Sequence, residues 1–283
     1  MKKNIFLAMA IIACANLYAG TYSGGSGTSG DPYQIANTED LIELSRTSGD
    51  WGKYFEQTAD IDFGTDETAV DWDGDGTATW DSYDDDGLYP IGNGSFKFTG
   101  YYYGNGHIIS NLYIDRPGEH YTALFGYIEG AHIEDLGVEN VDVTGYQRVG
   151  ALVGVGTGNS YVYHCYSTGE VTGNRYVGGI VGRNDGLFLY YCYSKANATT
   201  TGDIVGGLVG YNGSSGRVND CYSTGFVSGV TKGGLVGINA GNFYNNSYWN
   251  TTTSGTSTGC ASNSGTFYGY GRNTAQMQSQ ATF

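Results

Sequence analysis

Four aspartates in one short segment are the residues best suited by type and spacing to do chemistry. The run Asp71-Trp-Asp73-Gly-Asp75-Gly76 matches the first half of a calcium-binding loop, in which alternate carboxylates face the ion and glycine allows a sharp turn. The expected Glu at the twelfth position is replaced by Ser82, and Asp81 comes one place earlier. The flanks lack helical periodicity, so the pattern predicts a weak Ca²⁺ site rather than an EF-hand. The alternative is an acidic loop that binds no ion specifically.

A column of tyrosines is the second candidate site. The tripeptide Cys-Tyr-Ser recurs in steps of 27 and 29 residues and changes to Ser-Tyr-Trp at the end of the series. If the cysteines face inward, the tyrosines form an outward stripe that could stack on sugar rings or contact a protein. The alternative is that the rings stack on each other and only stabilise the sheet, and the sequence does not decide which residue of each pair faces the core. The column consists of Tyr166, Tyr193, Tyr222 and Tyr248.

A repeat of about 28 residues must position these side chains. Glycines that end a Leu-Val-Gly-like tripeptide step by 28, 28, 28 and 27 residues from Gly126 to Gly237. Three short apolar segments per unit predict one coil of an all-β, right-handed parallel β-helix, in which stacking of about eight coils makes the core. The column Asn184, Asn212 and Asn239 is predicted to lie at a turn, with side-chain amides bonded from coil to coil. Arg175 is expected to pair with Asp203 in the next coil.

The segments before the repeats differ in pattern. Asn37 or Thr38 is expected to cap a short helix from Glu39 to Arg46, which closes the first coil. We expect residues 20–30 to be a flexible leader and residues 31–283 to form one solenoid domain. Within that domain, 64–87 is an acidic insert and 106–250 contains the repeats.

The N-terminus predicts secretion. Two lysines precede an apolar run from Ile5 to Ala15, and Ala19 provides a small residue for cleavage, so residues 1–19 have the features of a signal peptide. Lipidation of Cys14 is the alternative, because residues 11–14 loosely resemble a lipobox. No later segment approaches the ~20 apolar residues that a membrane span needs.

Charge and composition exclude several classes of function. The net charge of −15 repels nucleic acid and anionic membranes, and we exclude both as partners. The 48 glycines follow no Gly-X-Y period, which excludes collagen, and a hydrophobic fraction of 40% is too high for a disordered chain.

Four cysteines remain after residues 1–19. Three recur at the repeat period and are predicted to form a buried ladder of thiols, while a disulfide between neighbouring coils, or one that involves the fourth, stays open. They are Cys165, Cys192, Cys221 and Cys260.

Several motifs stand in the order of a known family. The lead-in Gly27–Ile35 is followed by Ala59–Phe63, Gly104–Ile114 and the units Gly178-Gly-Ile-Val-Gly-Arg-Asn184 and Gly206-Gly-Leu-Val-Gly-Tyr-Asn212. Together they resemble GLUG-motif proteins over roughly residues 27–283. The resemblance implies a bacterial secreted or cell-surface β-solenoid, as in haemagglutinin-like adhesins and the non-catalytic N-terminal region of IgA-specific metallopeptidases. The zinc signature His-Glu-x-x-His is absent, so no peptidase activity is carried over. The C-terminal segment usually runs on further in the family, which leaves truncation open.

The sequence thus favours a non-catalytic, adhesin-like binding or spacer module outside the cell, monomeric or part of a longer chain. Its expected partner is an extracellular glycan or a protein on a host or neighbouring cell, and its expected cofactor is Ca²⁺. A polysaccharide lyase or glycoside hydrolase on a parallel β-helix is the alternative, because that fold hosts such enzymes. A purely structural stalk is the third hypothesis.

Overall fold

The computed structural model describes residues 20–65, 70–72 and 86–279, and this part of the chain is a parallel β-solenoid. The first elements are β1 Tyr33–Ile35, α1 Thr38–Arg46, a 3₁₀ turn Ser48–Asp50, β2 Tyr54–Gln57, β3 Ile61–Asp62, β4 Tyr101–Tyr103 and β5 Ile108–Ser110. The next are β6 Tyr113–Thr122, β7 Phe125–Glu129, β8 His132–Glu134, β9 Gly137–Gly150, β10 Val153–Thr157, β11 Ser160–Tyr163, β12 Tyr166–Gly173, β13 Arg175–Gly178, β14 Val181–Asn184, β15 Leu187–Tyr190, β16 Tyr193–Ser194 and β17 Asn197–Thr200. The last are β18 Ile204–Gly206, β19 Val209–Asn212, β20 Arg217–Asn219, β21 Tyr222–Ser223, β22 Val227–Ser228, β23 Thr231–Gly233, β24 Val236–Asn239, β25 Asn242–Asn250, β26 Cys260–Asn263, β27 Thr266–Arg272 and α2 Thr274–Met277.

Each coil has three faces, and equivalent strands of successive coils pair in parallel. One coil runs from β11 in the first face through β12 and β13 in the second to β14 in the third, and β15 then pairs with β11. Nine strands stack in the first face: β1, β2, β4, β8, β11, β15, β20, β25 and β27. Six strands stack in the third: β7, β10, β14, β19, β24 and β26. The predicted β-solenoid is confirmed. Among the described residues, the expected eight coils become six that have a third-face strand, because before β7 the described part of that face continues as isolated bridges at Ile91 and Phe98.

The core is a set of apolar columns that run along the solenoid axis. The Leu-Val-Gly tripeptides place both apolar side chains inside, as the sequence predicts, and Leu208 and Val209 are fully buried. The cysteines of the Cys-Tyr-Ser units also face inward, with each of the three only 1% exposed. One continuous cluster joins these columns to the N-terminal cap, so no coil buries its apolar side alone.

Polar columns connect the coils at the corners. The Asn212 amide donates to Asn239 Oδ1 at 2.7 Å, as predicted, and the Asn239 amide donates to Asn263 Oδ1 at 2.8 Å. Asn184 departs from the predicted ladder, because its amide donates to the Leu187 carbonyl of its own turn at 3.0 Å. Arg175 Nε lies 3.4 Å from Asp203 Oδ1, so the predicted ion pair is also present, half-exposed and of small energetic value.

A one-residue corner of left-handed backbone separates the first face from the second. Its residues have φ between 51° and 59°, and each stands just before an inward side chain of the second face. The fold accepts bulky residues in this sparsely populated region because the strands on both sides fix the direction of the chain. The corner consists of Asp135, His164, Tyr191, Asp220 and Asn246.

The corner between the second and third faces requires glycine for close backbone approach. A Cβ on Gly182 would lie 2.5 Å from the carbonyl carbon of Arg148 and the amide nitrogen of Val149 in the preceding coil. A Cβ on Gly178 would collide with the Val181 carbonyl oxygen. The obstacles are backbone atoms, so no rotation of a side chain can relieve the contact.

The N-terminal cap closes the first coil. Helix α1 begins after Asn37, whose side chain accepts the Asp40 N–H at 2.9 Å, and Leu41 and Leu44 are fully buried. Residues 20–30 were expected to be flexible, but the Tyr22 ring packs 5.6 Å from the Phe55 ring and Ser23 donates to Asp40 at 2.6 Å. These contacts hold the leader against the cap because the open end of the coil offers aromatic surface to cover.

Three sequence predictions lie outside the described residues. These are the signal peptide 1–19, the alternative lipidation of Cys14, and most of the acidic insert, including Asp73, Asp75 and Asp81. In the ranges that the structure does describe, no helix has the length and apolar character to cross a membrane.

Replacement of Gly182 by Ala tests the glycine corner. The added methyl group must displace backbone, and overpacking of this kind costs about 3 kcal/mol, so the midpoint of urea unfolding should fall markedly. Gly118→Ala is the matched control, because a Cβ there meets no atom within 4 Å and its unfolding should change by less than about 0.5 kcal/mol. Equal stability of both variants would contradict the steric account.

Candidate functional site

The predicted tyrosines form one ladder along the second face, named here the tyrosine ladder. Its ring centroids are 4.9 Å apart between Tyr166 and Tyr193, and 4.8 Å apart between Tyr193 and Tyr222, with interplanar angles of 5° and 1°. Tyr248 is the register partner of Tyr222, and Tyr270 lies 5.8 Å beyond Tyr248. The sequence missed Tyr270 as a member, because its spacing of 22 residues from Tyr248 departs from the repeat.

The buried cysteines show which way the tyrosine side chains of the ladder point. Since Cys165, Cys192 and Cys221 face the core, the tyrosine next to each of them points away from it. The rings stack on each other, as one interpretation predicts, because Tyr193 uses both ring faces for stacking and keeps its edge outward. Tyr166, Tyr193 and Tyr222 therefore present ring edges rather than flat ring faces at the surface, whereas Tyr248 is only 9% exposed.

Charged groups lie along the ladder. The Tyr166 hydroxyl donates to Glu139 Oε1 at 2.6 Å, Lys195 Nζ is 5.4 Å from the centre of the Tyr193 ring, and the Arg272 guanidinium is 5.4 Å from that of Tyr248. Burial raises the pKa of Tyr222 to about 12, and burial together with the Glu139 hydrogen bond raises that of Tyr166 further. The hydroxyls of Tyr166 and Tyr222 therefore stay protonated well above neutral pH.

A cavity of about 520 Å³ and another of about 570 Å³ open on the surface. The smaller one lies beside the N-terminal cap and is lined by Ser45, Arg46, Ser48, Trp51, Tyr89, Pro90, Asn93 and Phe96. The larger one, named here the Tyr222 cavity, adjoins the tyrosine ladder. It is lined by Lys195, Tyr222, Thr224, Asn250, Thr253, Thr274, Met277 and Gln278. Three coils and α2 contribute to it, so no single sequence motif could have indicated it.

A second aromatic column, which sequence reasoning missed, lies on the first face. The Tyr54 and Tyr101 rings stack 4.5 Å apart at 6°, and His132 lies 5.6 Å from Tyr101. Tyr161 and Phe188 continue the column, and the Arg217 guanidinium stands 4.7 Å from the Phe188 ring. These aromatic residues occupy equivalent positions in successive coils, each next to a buried strand residue. The residue type changes from coil to coil, so the sequence shows no repeated motif at this position.

The predicted calcium segment is anchored at both described ends. Asp71 precedes Trp72, which is 1% exposed and stacks 4.7 Å from Phe63. At the other end, the buried Arg116 side chain contacts Asp86 at 3.6 Å and donates to the Gly87 carbonyl at 3.2 Å. Among the described residues, no three His, Cys, Asp or Glu side chains gather to hold a metal.

The four cysteines after residue 19 are free thiols in the structure. Burial raises the pKa of Cys221 to about 12 and that of Cys260 to about 11, and it raises the pKa of Cys192 well above its usual value. A thiol is a poor nucleophile when protonated. Cys165, Cys192 and Cys221 are small apolar residues of the core, and Cys260 is partly buried beside it.

The carboxylates near the cap act between coils. Asp60 accepts the Ile108 N–H at 3.1 Å and contacts His107 at 2.9 Å, and Asp62 accepts from Asn111 at 2.6 Å. Backbone hydrogen bonds, from Ile108 and Gly64 respectively, lower the pKa of both carboxyls. Asp60 and Asp62 therefore tie the neighbouring coil through hydrogen bonds.

Comparison with known proteins identifies one repeat directly. Residues 201–228 match the family model of the GLUG motif. This repeat is a GLUG motif. It includes Tyr222 and Asn212, and its Gly206 and Gly210 occupy the corner where close backbone approach excludes a Cβ. The motif thus combines the residues that turn the coil with one rung of the tyrosine ladder.

Two relatives match about half of the chain. Halomucin of Haloquadratum walsbyi is 34% identical over 137 residues, which are 47% of this chain and 1% of halomucin. A Gly-rich membrane protein of Evansella cellulosilytica is 32% identical over 141 residues, which are 50% of this chain and 14% of that protein. The GLUG-containing chain therefore spans only a small part of the length of these relatives.

Two solved structures share the fold. An immunoglobulin A1 protease-like protein of Bacteroides ovatus superposes with a TM-score of 0.61 at 20% identity and covers 90% of this chain and 88% of its own. An IgA1 protease superposes with a TM-score of 0.54 at 22% identity, over 76% of this chain and 16% of its own. At these identities the likeness shows the fold alone.

Replacement of Tyr193 by Leu tests the stacking in the tyrosine ladder. The change removes two stacked pairs, each worth about 1 kcal/mol beyond burial, so unfolding should cost about 2 kcal/mol less. Tyr268→Leu is the control, because Tyr268 is 51% exposed and its ring stacks on no ring of the tyrosine ladder. Urea unfolding measures both variants, and a Tyr193→Leu variant as stable as the control would contradict a structural role for stacking.

Proposed function

We propose that this chain is a non-catalytic, adhesin-like binding and spacer module that works outside a bacterial cell and binds glycan through its tyrosine ladder. The observation that carries the proposal is the outward row of tyrosines beside the Tyr222 cavity. The rigid solenoid holds these side chains at fixed positions, so binding requires little ordering of the protein.

The chemistry of the row suits sugars. Protonated phenol groups donate hydrogen bonds to sugar oxygens, and the ring edges can contact the apolar C–H surface of a pyranose. Successive rungs repeat at about 4.8 Å, which offers an extended polymer a series of equivalent contacts rather than one deep pocket. A host or neighbouring surface protein is the other partner that such an aromatic face would accept.

The expected location rests on sequence and comparison together. The N-terminal sequence predicts export, and one relative is named as a membrane protein and another as a halomucin. Export places the aromatic face where glycans and other cells are within reach. The GLUG motif and the fold shared with IgA1 protease-like proteins support a repeat module of the same general kind.

The proposal of binding without turnover rests on how the described carboxylates are used. Asp60 and Asp62 tie neighbouring coils, Glu139 holds Tyr166, and Asp203 pairs with Arg175. Glycoside hydrolysis needs two carboxyl groups that face one sugar, and these four act singly in structural contacts.

Incubation of the protein with insoluble polysaccharides tests the proposed binding. We expect depletion of the protein from solution with no release of soluble sugar. Tyr222→Phe, which removes a hydroxyl but keeps the ring, should reduce the retention, and the Tyr268→Leu variant is the control for a tyrosine outside the ladder. Release of sugar would support the enzyme instead, and no retention on any glycan would favour a stalk or a protein partner.

We further propose that Ca²⁺ orders the acidic insert through Asp71, Asp73, Asp75 and Asp81. Trp72 is buried within the insert, and Arg116 holds its Asp86–Gly87 end, so a bound ion between these points would add stability to the cap region. The expected affinity is that of extracellular calcium modules, about 10⁻⁴ to 10⁻³ M.

Thermal unfolding with and without calcium tests this site. At about a hundredfold excess of Ca²⁺ over Kd, Tm should rise by about 5 °C relative to EDTA. The paired variant Asp73→Asn with Asp75→Asn should lose that rise, and Glu170→Gln, an exposed carboxylate of the repeats, should keep it. A calcium effect that is equal in all three proteins would contradict a site at these aspartates.

A further inference from the structure

The Tyr222 cavity differs in charge from the rest of the molecule. None of its eight lining residues is acidic, although the chain contains 28 Asp and Glu against 13 Lys and Arg. Its one charged group is Lys195, and Lys195 has no carboxylate within ion-pair distance among the described residues. The lining of the cavity therefore carries a single positive charge and no negative charge in a strongly acidic protein.

Several polar groups of the cavity have unused hydrogen-bonding capacity. The Lys195 ammonium, the Thr224 hydroxyl and the side-chain amide of Gln278 make no hydrogen bond inside the described structure. Asn250, in contrast, is 3% exposed and fixed, because its Oδ1 accepts the Thr252 N–H at 2.9 Å and its amide donates to Thr274 at 3.0 Å. The cavity therefore combines one fixed amide, on Asn250, with open donors and acceptors on the exposed Lys195 and Gln278, which a ligand can meet with hydrogen bonds.

The remaining walls are apolar. Tyr222 contributes its ring edge and Met277 its thioether chain, so one side of a ligand can bury C–H surface while the other side makes hydrogen bonds. A volume of about 570 Å³ lies within the ~300–1,000 Å³ range of small-ligand pockets. The combination fits a sugar ring that carries a negative charge.

We propose that the Tyr222 cavity binds a carboxylate-bearing pyranose, a uronic or a sialic acid, within the glycan that the tyrosine ladder holds. Lys195 pairs with the carboxylate, Thr224 and Gln278 bond the ring hydroxyls, and Tyr222 with Met277 covers the apolar face. This assignment rests on the proposed glycan-binding function and names the chemistry of its preferred ligand.

The test compares soluble acidic and neutral sugars by calorimetry with the folded protein. The probes are a galacturonic acid trisaccharide, sialyllactose and lactose. We expect an acidic probe to bind at least about tenfold more tightly than lactose, since a charge-assisted hydrogen bond is worth that much. Lys195→Gln should remove this preference, and Gln278→Ala should weaken binding without removing it.

Lys97→Gln is the matched control. Lys97 Nζ lies 5.5 Å from the centre of the Tyr127 ring, nearly the distance between Lys195 and Tyr193, but Lys97 is outside the cavity. The control should bind as the unmodified protein does, and thermal unfolding should show all variants to be folded. Binding of only one acidic probe would identify the source of the carboxylate and still support the assignment.

Two results would overturn the assignment. Equal affinity for lactose and the acidic probes would show that the carboxylate is not recognised, and full acidic preference in Lys195→Gln would place the recognition elsewhere. In either case retention on insoluble polysaccharide would still support the proposed glycan binding. Absence of both soluble and insoluble binding would instead contradict the proposed function itself.

Discussion

The close approach of backbone at the glycine corner is the constraint on which the rest of the structure depends. At Gly178 and Gly182 the chain passes so near to neighbouring backbone atoms that a methyl group has no space. This contact sets the direction in which each coil leaves the second face and enters the third. Since successive coils share the corner, their strands meet in parallel and in register over the length of the repeats.

Register then determines what the surface presents. Parallel strands lie about 4.8 Å apart, which is also close to the distance at which aromatic rings stack with offset. Tyr166, Tyr193 and Tyr222 therefore stack almost without tilt, and their centroid separations of 4.9 and 4.8 Å reproduce the strand spacing. Because the glycine corner recurs in each coil and keeps the strands in register, tyrosines that recur in the sequence lie one above another as an ordered row of phenol groups.

The sequence was most informative where a residue type recurs at the repeat period. The inward Leu208 and Val209, the amide ladder of Asn212 and Asn239, and the cap of α1 all follow from period or local capping chemistry. The first-face aromatic column was missed because its residue types vary, although its positions recur. The Tyr222 cavity could not be predicted, because Lys195, Asn250 and Gln278 come together only through the stacking of coils and the position of α2. The predicted aspartate site lies largely outside the described residues, so its geometry stays a sequence prediction.

The tyrosine ladder and the Tyr222 cavity together make the second face the proposed binding surface. Hydrogen–deuterium exchange of the protein with and without a saturating polysaccharide tests this claim most directly. The account predicts slower exchange in peptides around 192–196, 221–225 and 248–278, and unchanged exchange in the third-face peptides around 153–157 and 181–184. Protection confined to the N-terminal cap or to the third face would contradict it.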